Sequence, residues 1–246
     1  MRRALAVLFV AVALAVAGAS VASADVVTST RSASTFVSND TLYWGMLGAD
    51  NYFVPSGSTA VTTPGGITTT VTSGTGGDLS TLVQCPVAIC AWTGNFSPGT
   101  VLLTDLNFNT GGNSGKITLS FSTGIAGVGF QLEPNAAGPI TFSTEIAAYD
   151  GGALLGTFYF PDGFEADHGE MNTAGFYGVT DWTGADITSI QVLAYNCSSG
   201  PCDGFALNAL KIEDAVTTTP EPASLALLGS GLGMLGFLRR KLAARK

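Results

Sequence analysis

The middle of this 246-residue sequence contains very few basic residues. Between Asp25 and Glu221, a region that we call the body, the basic residues are Arg31, Lys116 and Lys211, whereas all 18 acidic residues of the chain lie there. Three basic against 18 acidic residues leave the body with a net charge of −15, compared with −8 for the whole chain. Nucleic-acid binding depends on neutralising phosphate charge, so no nucleic-acid partner is expected. Anionic lipid surfaces are disfavoured as well.

Histidine is also scarce, because His168 is the only one, and the body lacks HExxH, P-loop and GxGxxG motifs. Catalytic arrangements of the Ser-His-Asp or Cys-His type are therefore limited to those that include His168. Its segment, PDGFEADHGE, contains carboxylates that could serve a glycosidase or bind calcium: Asp162, Glu165, Asp167 and Glu170. We interpret it as a solvated acidic loop, with calcium binding and glycan hydrolysis as alternatives. The sequence predicts a protein that is not an enzyme and has no cofactor.

Cysteine occurs four times, in two pairs of equal spacing: Cys85 with Cys90, and Cys197 with Cys202. In an exported chain an even number of cysteines favours disulfides, and three connectivities are possible. Pairing within each short, proline-containing segment is the preferred interpretation. A four-thiolate zinc site is the alternative, although its usual cysteine spacing is tighter.

The body has no sustained helical periodicity, but several segments alternate apolar and polar residues. Ile117, Leu119 and Phe121 are predicted to share one face of a strand, and two further sets repeat the pattern. These sets are Val128, Phe130 and Leu132, and Ile190, Val192 and Ala194. Asp150-Gly151-Gly152 is typical of a hairpin turn. Such short strands predict an all-β fold, an antiparallel β-sandwich of the jelly-roll kind.

Within the body, residues 25–82 are rich in Ser, Thr and Gly, and residues 83–214 are predicted to form the sandwich. The aromatic residues of the first part, Tyr43, Trp44 and Tyr52, are predicted to pack in the interior. Exposed aromatic rings, by contrast, would be able to stack on sugars.

The N-terminal residues 1–24 have the pattern of a secretory signal peptide. A basic start at Arg2 and Arg3 precedes an apolar run, which is followed by small residues. Ala22 and Ala24 fit the cleavage rule immediately before Asp25, so signal peptidase is an expected partner. The pattern predicts an exported body.

The C-terminal part also has three segments. A linker, residues 215–222, contains Pro220, Glu221 and Pro222, and the prolines favour extended backbone. An apolar run and a basic tail follow over residues 223–246, predicting a single transmembrane helix with a cytoplasmic stop. The stop residues are Arg239, Arg240 and Lys241.

Together, the Pro-Glu-Pro tripeptide, the short Leu/Gly-rich run and the Arg-Arg-Lys stop resemble the PEP-CTERM sorting signal. The resemblance implies recognition by exosortase, a membrane-embedded processing enzyme, in a Gram-negative bacterium that makes exopolysaccharide. Segments of the body, such as GVGFQLEPN and GFALNALKI, are similar to the β-sandwich bodies of such proteins. Relatives commonly have two aspartates in the last segment, where this chain has Asn208 and Ala209.

Two functions are consistent with these observations. The first is a non-catalytic protein of the cell surface or extracellular matrix, tethered to the membrane before processing and associated with exopolysaccharide or biofilm. The alternative is a secreted carbohydrate-active enzyme or a lectin-like glycan-binding module.

Overall fold

The structure, a computed structural model, describes part of the chain. The described residues are 26–48, 53–54, 59–73, 79–83, 96–105, 115–134, 140–165, 174–184, 186–198, 202 and 204–214. They are almost entirely β, and their helical content is one short 3₁₀ turn, Trp44–Met46. The all-β prediction is confirmed.

Fourteen strands are present in the described residues. In chain order they are β1 (Val27–Thr30), β2 (Asp40–Leu42), β3 (Phe53–Val54), β4 (Thr59–Thr62), β5 (Thr68–Ser73), β6 (Leu79–Val83), β7 (Val101–Asp105), β8 (Ile117–Pro134), β9 (Ile140–Asp150), β10 (Ala153–Glu165), β11 (Gly175–Asp181), β12 (Ile187–Tyr195), β13 (Phe205–Leu207) and β14 (Leu210–Asp214).

All described strand pairs are antiparallel, as predicted, and they join into one hydrogen-bonded network. The long strand β8 organises this network. Its first residues pair with β12 and β5, whereas its later residues pair with β11, β14 and β13. The arrangement of these strands as a jelly-roll sandwich stays a prediction.

The Ser/Thr/Gly-rich first part contributes strands to the same network as the second part. Strand β1 pairs with β11, β2 with β14 and β5 with β8. Thr and Val suit the half-buried surface of a pleated strand, which explains why TTTVTS forms β5.

The alternation of apolar and polar residues in the sequence correctly identified the strand faces that point into the core. Every residue of the three predicted apolar sets is buried in one hydrophobic core, with Phe121, at 7% exposure, the most accessible of the nine. The β9–β10 hairpin is also confirmed: Gly151 and Gly152 have φ values of 51° and 97°, which a two-residue turn of this kind requires.

Candidate functional site

Several residues predicted from the sequence lie outside the described residues. They comprise the signal peptide with Ala22, Ala24 and Asp25, the sorting residues Pro220, Glu221 and Pro222, the stop residues Arg239, Arg240 and Lys241, the run 223–246, and Tyr52, Cys85, Cys90, Asp167, His168 and Glu170. Among the residues that are described, no helix is long and apolar enough to cross a bilayer.

The structure describes only part of the predicted acidic loop. The backbones of Asp162 and Glu165 belong to the end of β10, and their side chains are outside the described part. In the described part of the chain, no three His, Cys, Asp or Glu residues are grouped so as to hold a metal ion. Calcium binding by this loop stays a prediction.

Cys197 and Cys202 form a disulfide, with their Cα atoms 5.3 Å apart. This is the local pairing that the sequence favoured for these two residues. The segment is also attached to the start of β9, because the Ser198 amide donates to the Thr141 carbonyl and the Thr141 amide donates to the Ser198 hydroxyl, both at 2.9 Å. The disulfide therefore has a structural role beside β9.

A cleft of about 560 Å³ opens on the described surface. We define it by five of its lining residues, which come from distant parts of the chain: Tyr43, Thr100, Gln131, Asn208 and Lys211. Its volume lies in the range of about 300–1,000 Å³ that is usual for ligand sites. Its walls combine hydroxyl, amide, aromatic and ammonium groups, so it is suited to a polar ligand that also has an apolar face.

The floor of the cleft is formed by Trp44, which is fully buried in the core as predicted. Its indole Nε1 donates to the Asn208 carbonyl at 2.7 Å. Buried indole N–H groups normally need such a partner, so this bond joins the 3₁₀ turn to the segment between β13 and β14.

Asn208 and Gln131 form an amide clasp across the cleft wall. The β8 ladder is interrupted here, because β13 pairs with residues up to Leu132 and β14 resumes at Gly129. Asn208 bridges the interruption: its amide donates to the Gln131 carbonyl at 3.1 Å, and its Oδ1 accepts from the Gln131 amide at 2.7 Å. Its Nδ2 donates to Gln131 Oε1 at 2.6 Å. The clasp therefore replaces missing ladder bonds and holds the wall rigid.

The rim carries the groups that reach solvent. Tyr43 is 58% exposed, so the prediction that it packs in the interior is wrong: it precedes the 3₁₀ turn, whose buried side chain is Trp44. Lys211 is exposed on β14, opposite Thr41 of β2. None of the described lining residues carries a carboxylate. The cleft thus has a local positive charge in a body of net charge −15.

A second surface, the tyrosine face, lies on β9, β10 and β12 and is defined by Tyr149, Tyr159 and Tyr195. Tyr159 is 62% exposed and stands opposite Glu145 in the β9–β10 register. The Tyr149 hydroxyl donates to Gln191 Oε1 at 3.3 Å. Burial, followed by the charges of Glu145 and Tyr159, raises the pKa of Tyr195 above its usual 10.0.

A buried polar cluster lies around Tyr177 of β11. Burial raises the pKa of Tyr177, a hydrogen bond with Thr144 opposes that increase, Glu133 adds to it, and Arg31 opposes it. Arg31 lies 5.9 Å from the Tyr177 ring centroid and donates to the Pro161 carbonyl. These contacts attach the segment after β1 to β10 and β11, so we assign the cluster a structural role.

Comparison with known proteins identifies the sorting signal. The family model described as the PEP-CTERM protein-sorting motif matches residues 218–241. This chain carries a PEP-CTERM sorting motif. The PEP-CTERM motif indicates an exported protein that is anchored in the membrane and then sorted to the surface, and it implies exosortase as the processing partner.

The chain also has a distant structural likeness. It is similar to the crystal structure of a DUF4465 family protein from Bacteroides caccae, with 13% sequence identity and a TM-score of 0.41. The match covers 72% of this chain and 100% of the other. No curated protein matches the chain.

Sequence reasoning missed the cleft. In the sequence, Gln131 lies within a predicted strand, Lys211 is one of three basic residues of the body, and Asn208 departs from the aspartate pattern that the resemblance implies. The available signal was Asn208 itself, since a polar side chain between two short apolar strands often replaces a backbone hydrogen bond.

Proposed function

We propose that this chain is a non-catalytic protein of the cell surface or extracellular matrix, associated with exopolysaccharide in a biofilm. The observation that carries the proposal is the PEP-CTERM match at residues 218–241, which supports sorting by exosortase. In this proposal signal peptidase cuts before Asp25, and the body folds outside the cytoplasm as a β-sandwich. The 223–246 helix tethers the body until processing near Pro220, Glu221 and Pro222 releases it.

The acidic body supports the same proposal. A net charge of −15 gives like-charge repulsion between copies, which keeps an exported protein soluble. Neutral sugars and divalent cations are compatible with such a surface, whereas nucleic acid is not.

The sorting step is tested in the bacterium that makes the protein. We expect the double variant Pro220→Ala and Pro222→Ala to remain membrane-bound and to keep its C-terminal residues, as measured by fractionation and by mass spectrometry of the mature C-terminus. A strain that lacks exosortase should give the same result with the unaltered chain. Pro64→Ala, which removes an exposed proline from a turn in the body, is the matched control. Normal processing in the exosortase-deficient strain would refute the sorting proposal.

The absence of catalysis is tested separately. The purified exported protein should hydrolyse none of a broad polysaccharide panel. Hydrolysis that is abolished by Glu165→Gln or Asp167→Asn would instead establish the carbohydrate-active enzyme.

A glycan-binding role within the matrix is the second candidate, and the cleft favours it. A concave site with an exposed tyrosine, several hydroxyl groups and a rigid amide wall is suited to a sugar. Retention of the protein on a glycan array, lost in Tyr43→Ala, is the expected result.

A further inference from the structure

We propose that the cleft binds a saccharide that carries a carboxylate, such as a uronic acid unit of a polysaccharide. The inference rests on the proposed association with exopolysaccharide, and it goes further by naming the site, the class of sugar and the residues that recognise it.

The first observation that supports this proposal is the charge distribution. The body contains 18 acidic residues and only three basic ones, yet the described residues that line the cleft include Lys211 and no carboxylate. Lys211 lies on β14 between Thr41 of β2 and Gly129 of β8 in the strand register. The register therefore fixes the Lys211 backbone beside Thr41 at the cleft, from where its ammonium would form a charge-assisted hydrogen bond with a ligand carboxylate.

The aromatic ring carries the second step. Tyr43 is 58% exposed at the cleft, which leaves a ring face available to the apolar C–H side of a sugar ring. An aromatic side chain with a polar hydroxyl suits a ligand with one apolar face and polar edges. A free inorganic anion would use the ammonium but would gain nothing from this ring.

The rigidity of the wall carries the third step. Asn208 is bonded to Gln131 through three separate hydrogen bonds of 2.6–3.1 Å, and its carbonyl accepts from Trp44. The Gln131 side chain is held in addition by Nε2, which donates to the Ala174 carbonyl at 3.0 Å. Because these groups are already ordered, ligand binding does not have to order them, and less conformational entropy is lost.

The negative charge of the rest of the body does not prevent such binding at physiological ionic strength. Interactions between exposed charges are largely screened beyond about 8 Å in 0.15 M salt. The contact between Lys211 and a carboxylate in the cleft would be much shorter than that. Glu213, two residues along β14, is the carboxylate nearest to Lys211 in the sequence, and it does not line the cleft, so direct contact with Lys211 dominates over repulsion from the other carboxylates.

The test uses the full chain as its host exports it, purified and titrated by calorimetry in 0.15 M salt. The probes are tetrasaccharides of galacturonate, glucuronate, mannuronate and guluronate, each compared with its methyl ester, which keeps the sugar and removes the charge. We expect at least one acid to bind, and its ester to bind about tenfold more weakly, as loss of one charge-assisted bond predicts.

Two pairs of variants locate the site. Lys211→Met should weaken binding of the acid about tenfold and remove the difference between acid and ester. Lys116→Met makes the same charge change at an exposed position immediately before β8 and should leave affinity within about twofold. Tyr43→Ala should weaken binding whereas Tyr43→Phe keeps it, and Tyr159→Ala on the tyrosine face should have no effect.

Failure of this inference is distinguishable from failure of the proposed function. Three results would overturn the proposed site. They are no binding of any uronate, equal affinity for acid and ester, and an equal loss of affinity in Lys116→Met and Lys211→Met. Localisation of Lys211→Met in the host gives the second readout, because sorting depends on residues 218–241 and not on the cleft. A chain that reaches the surface normally but binds no uronate would leave the sorting proposal intact.

Discussion

The cleft and the tyrosine face both present tyrosines on a β surface, but their surroundings differ. At the cleft, Tyr43 and Lys211 line the same cavity, over a floor of buried Trp44 and clasped amides. On the tyrosine face, Tyr159 lies opposite Glu145 on an outward sheet surface. The comparison teaches that an exposed aromatic ring indicates a binding site only when rigid polar groups of suitable charge converge on it.

The largest expected difference between the two regions concerns stability. Trp44→Ala removes a fully buried side chain from the core and should lower the free energy of unfolding by about 3–5 kcal/mol. Tyr159→Ala removes an exposed ring and should change it by less than about 0.5 kcal/mol. Urea unfolding of the exported protein, followed by far-ultraviolet circular dichroism, measures both. Similar losses in the two variants would mean that the cleft floor is not part of the core.

The second difference concerns the two amides, and we expect an intermediate effect. Asn208→Ala removes the Oδ1 that accepts from the Gln131 amide where the ladder is interrupted, which should cost about 1–3 kcal/mol of unfolding free energy. Gln191→Ala on the tyrosine face loses only the 3.3 Å bond from Tyr149 and should cost less than about 0.5 kcal/mol. The same urea titration compares them.

The variant Asn208→Asp tests the hydrogen bonds of Asn208 separately. It also introduces the aspartate that the resemblance implies for this segment. A carboxylate keeps an acceptor for the Gln131 amide, but it cannot donate to Gln131 Oε1. We therefore expect a stability between those of Asn208→Ala and the unaltered chain. If Asn208→Asp is less stable than Asn208→Ala, the hydrogen bond to the Gln131 amide does not provide the stabilisation that we assign to it.

The sequence predicts the local features of this molecule and misses those that depend on long-range pairing. Alternation around Ile117 and Ile190 identifies buried faces, because a strand has a period of two whatever it pairs with. The hairpin at Gly151 and the sorting motif are contiguous, so they are readable too. Lys211 and Thr41 become neighbours only when β14 pairs with β2, which no local pattern indicates.

The exposure of Tyr43 could not be predicted for a related reason. Its neighbour Trp44 is aromatic as well, and the sequence does not say which of two adjacent rings enters the core. The 3₁₀ turn decides this by directing Trp44 inward to the Asn208 carbonyl, a partner 164 residues away.

The smallest expected effect is a change in the pKa of Tyr195. It tests whether negative charge surrounds the tyrosine face, in contrast to the positive charge at the cleft. Burial first, and the charges of Glu145 and Tyr159 next, raise the pKa of Tyr195 above 10.0. Glu145→Gln removes one of these charges, so we expect the pKa of Tyr195 to decrease toward 10.0 without reaching it, since burial remains. Ultraviolet absorbance titration, with Tyr195→Phe identifying the signal, measures the change.

The same shift sets the sign of a pH effect on stability. A folded-state pKa above the unfolded value means that the folded protein retains the proton longer, so the contribution of Tyr195 is complete below pH 10.0 and is lost as the pH rises through its folded pKa. Glu145→Gln should therefore reduce this alkaline loss, whereas Glu213→Gln, which removes a carboxylate on β14, should not. A Tyr195 titration that is unchanged in Glu145→Gln would show that Glu145 exerts no charge effect on the tyrosine face, and the electrostatic contrast with the cleft would then depend on Lys211 alone.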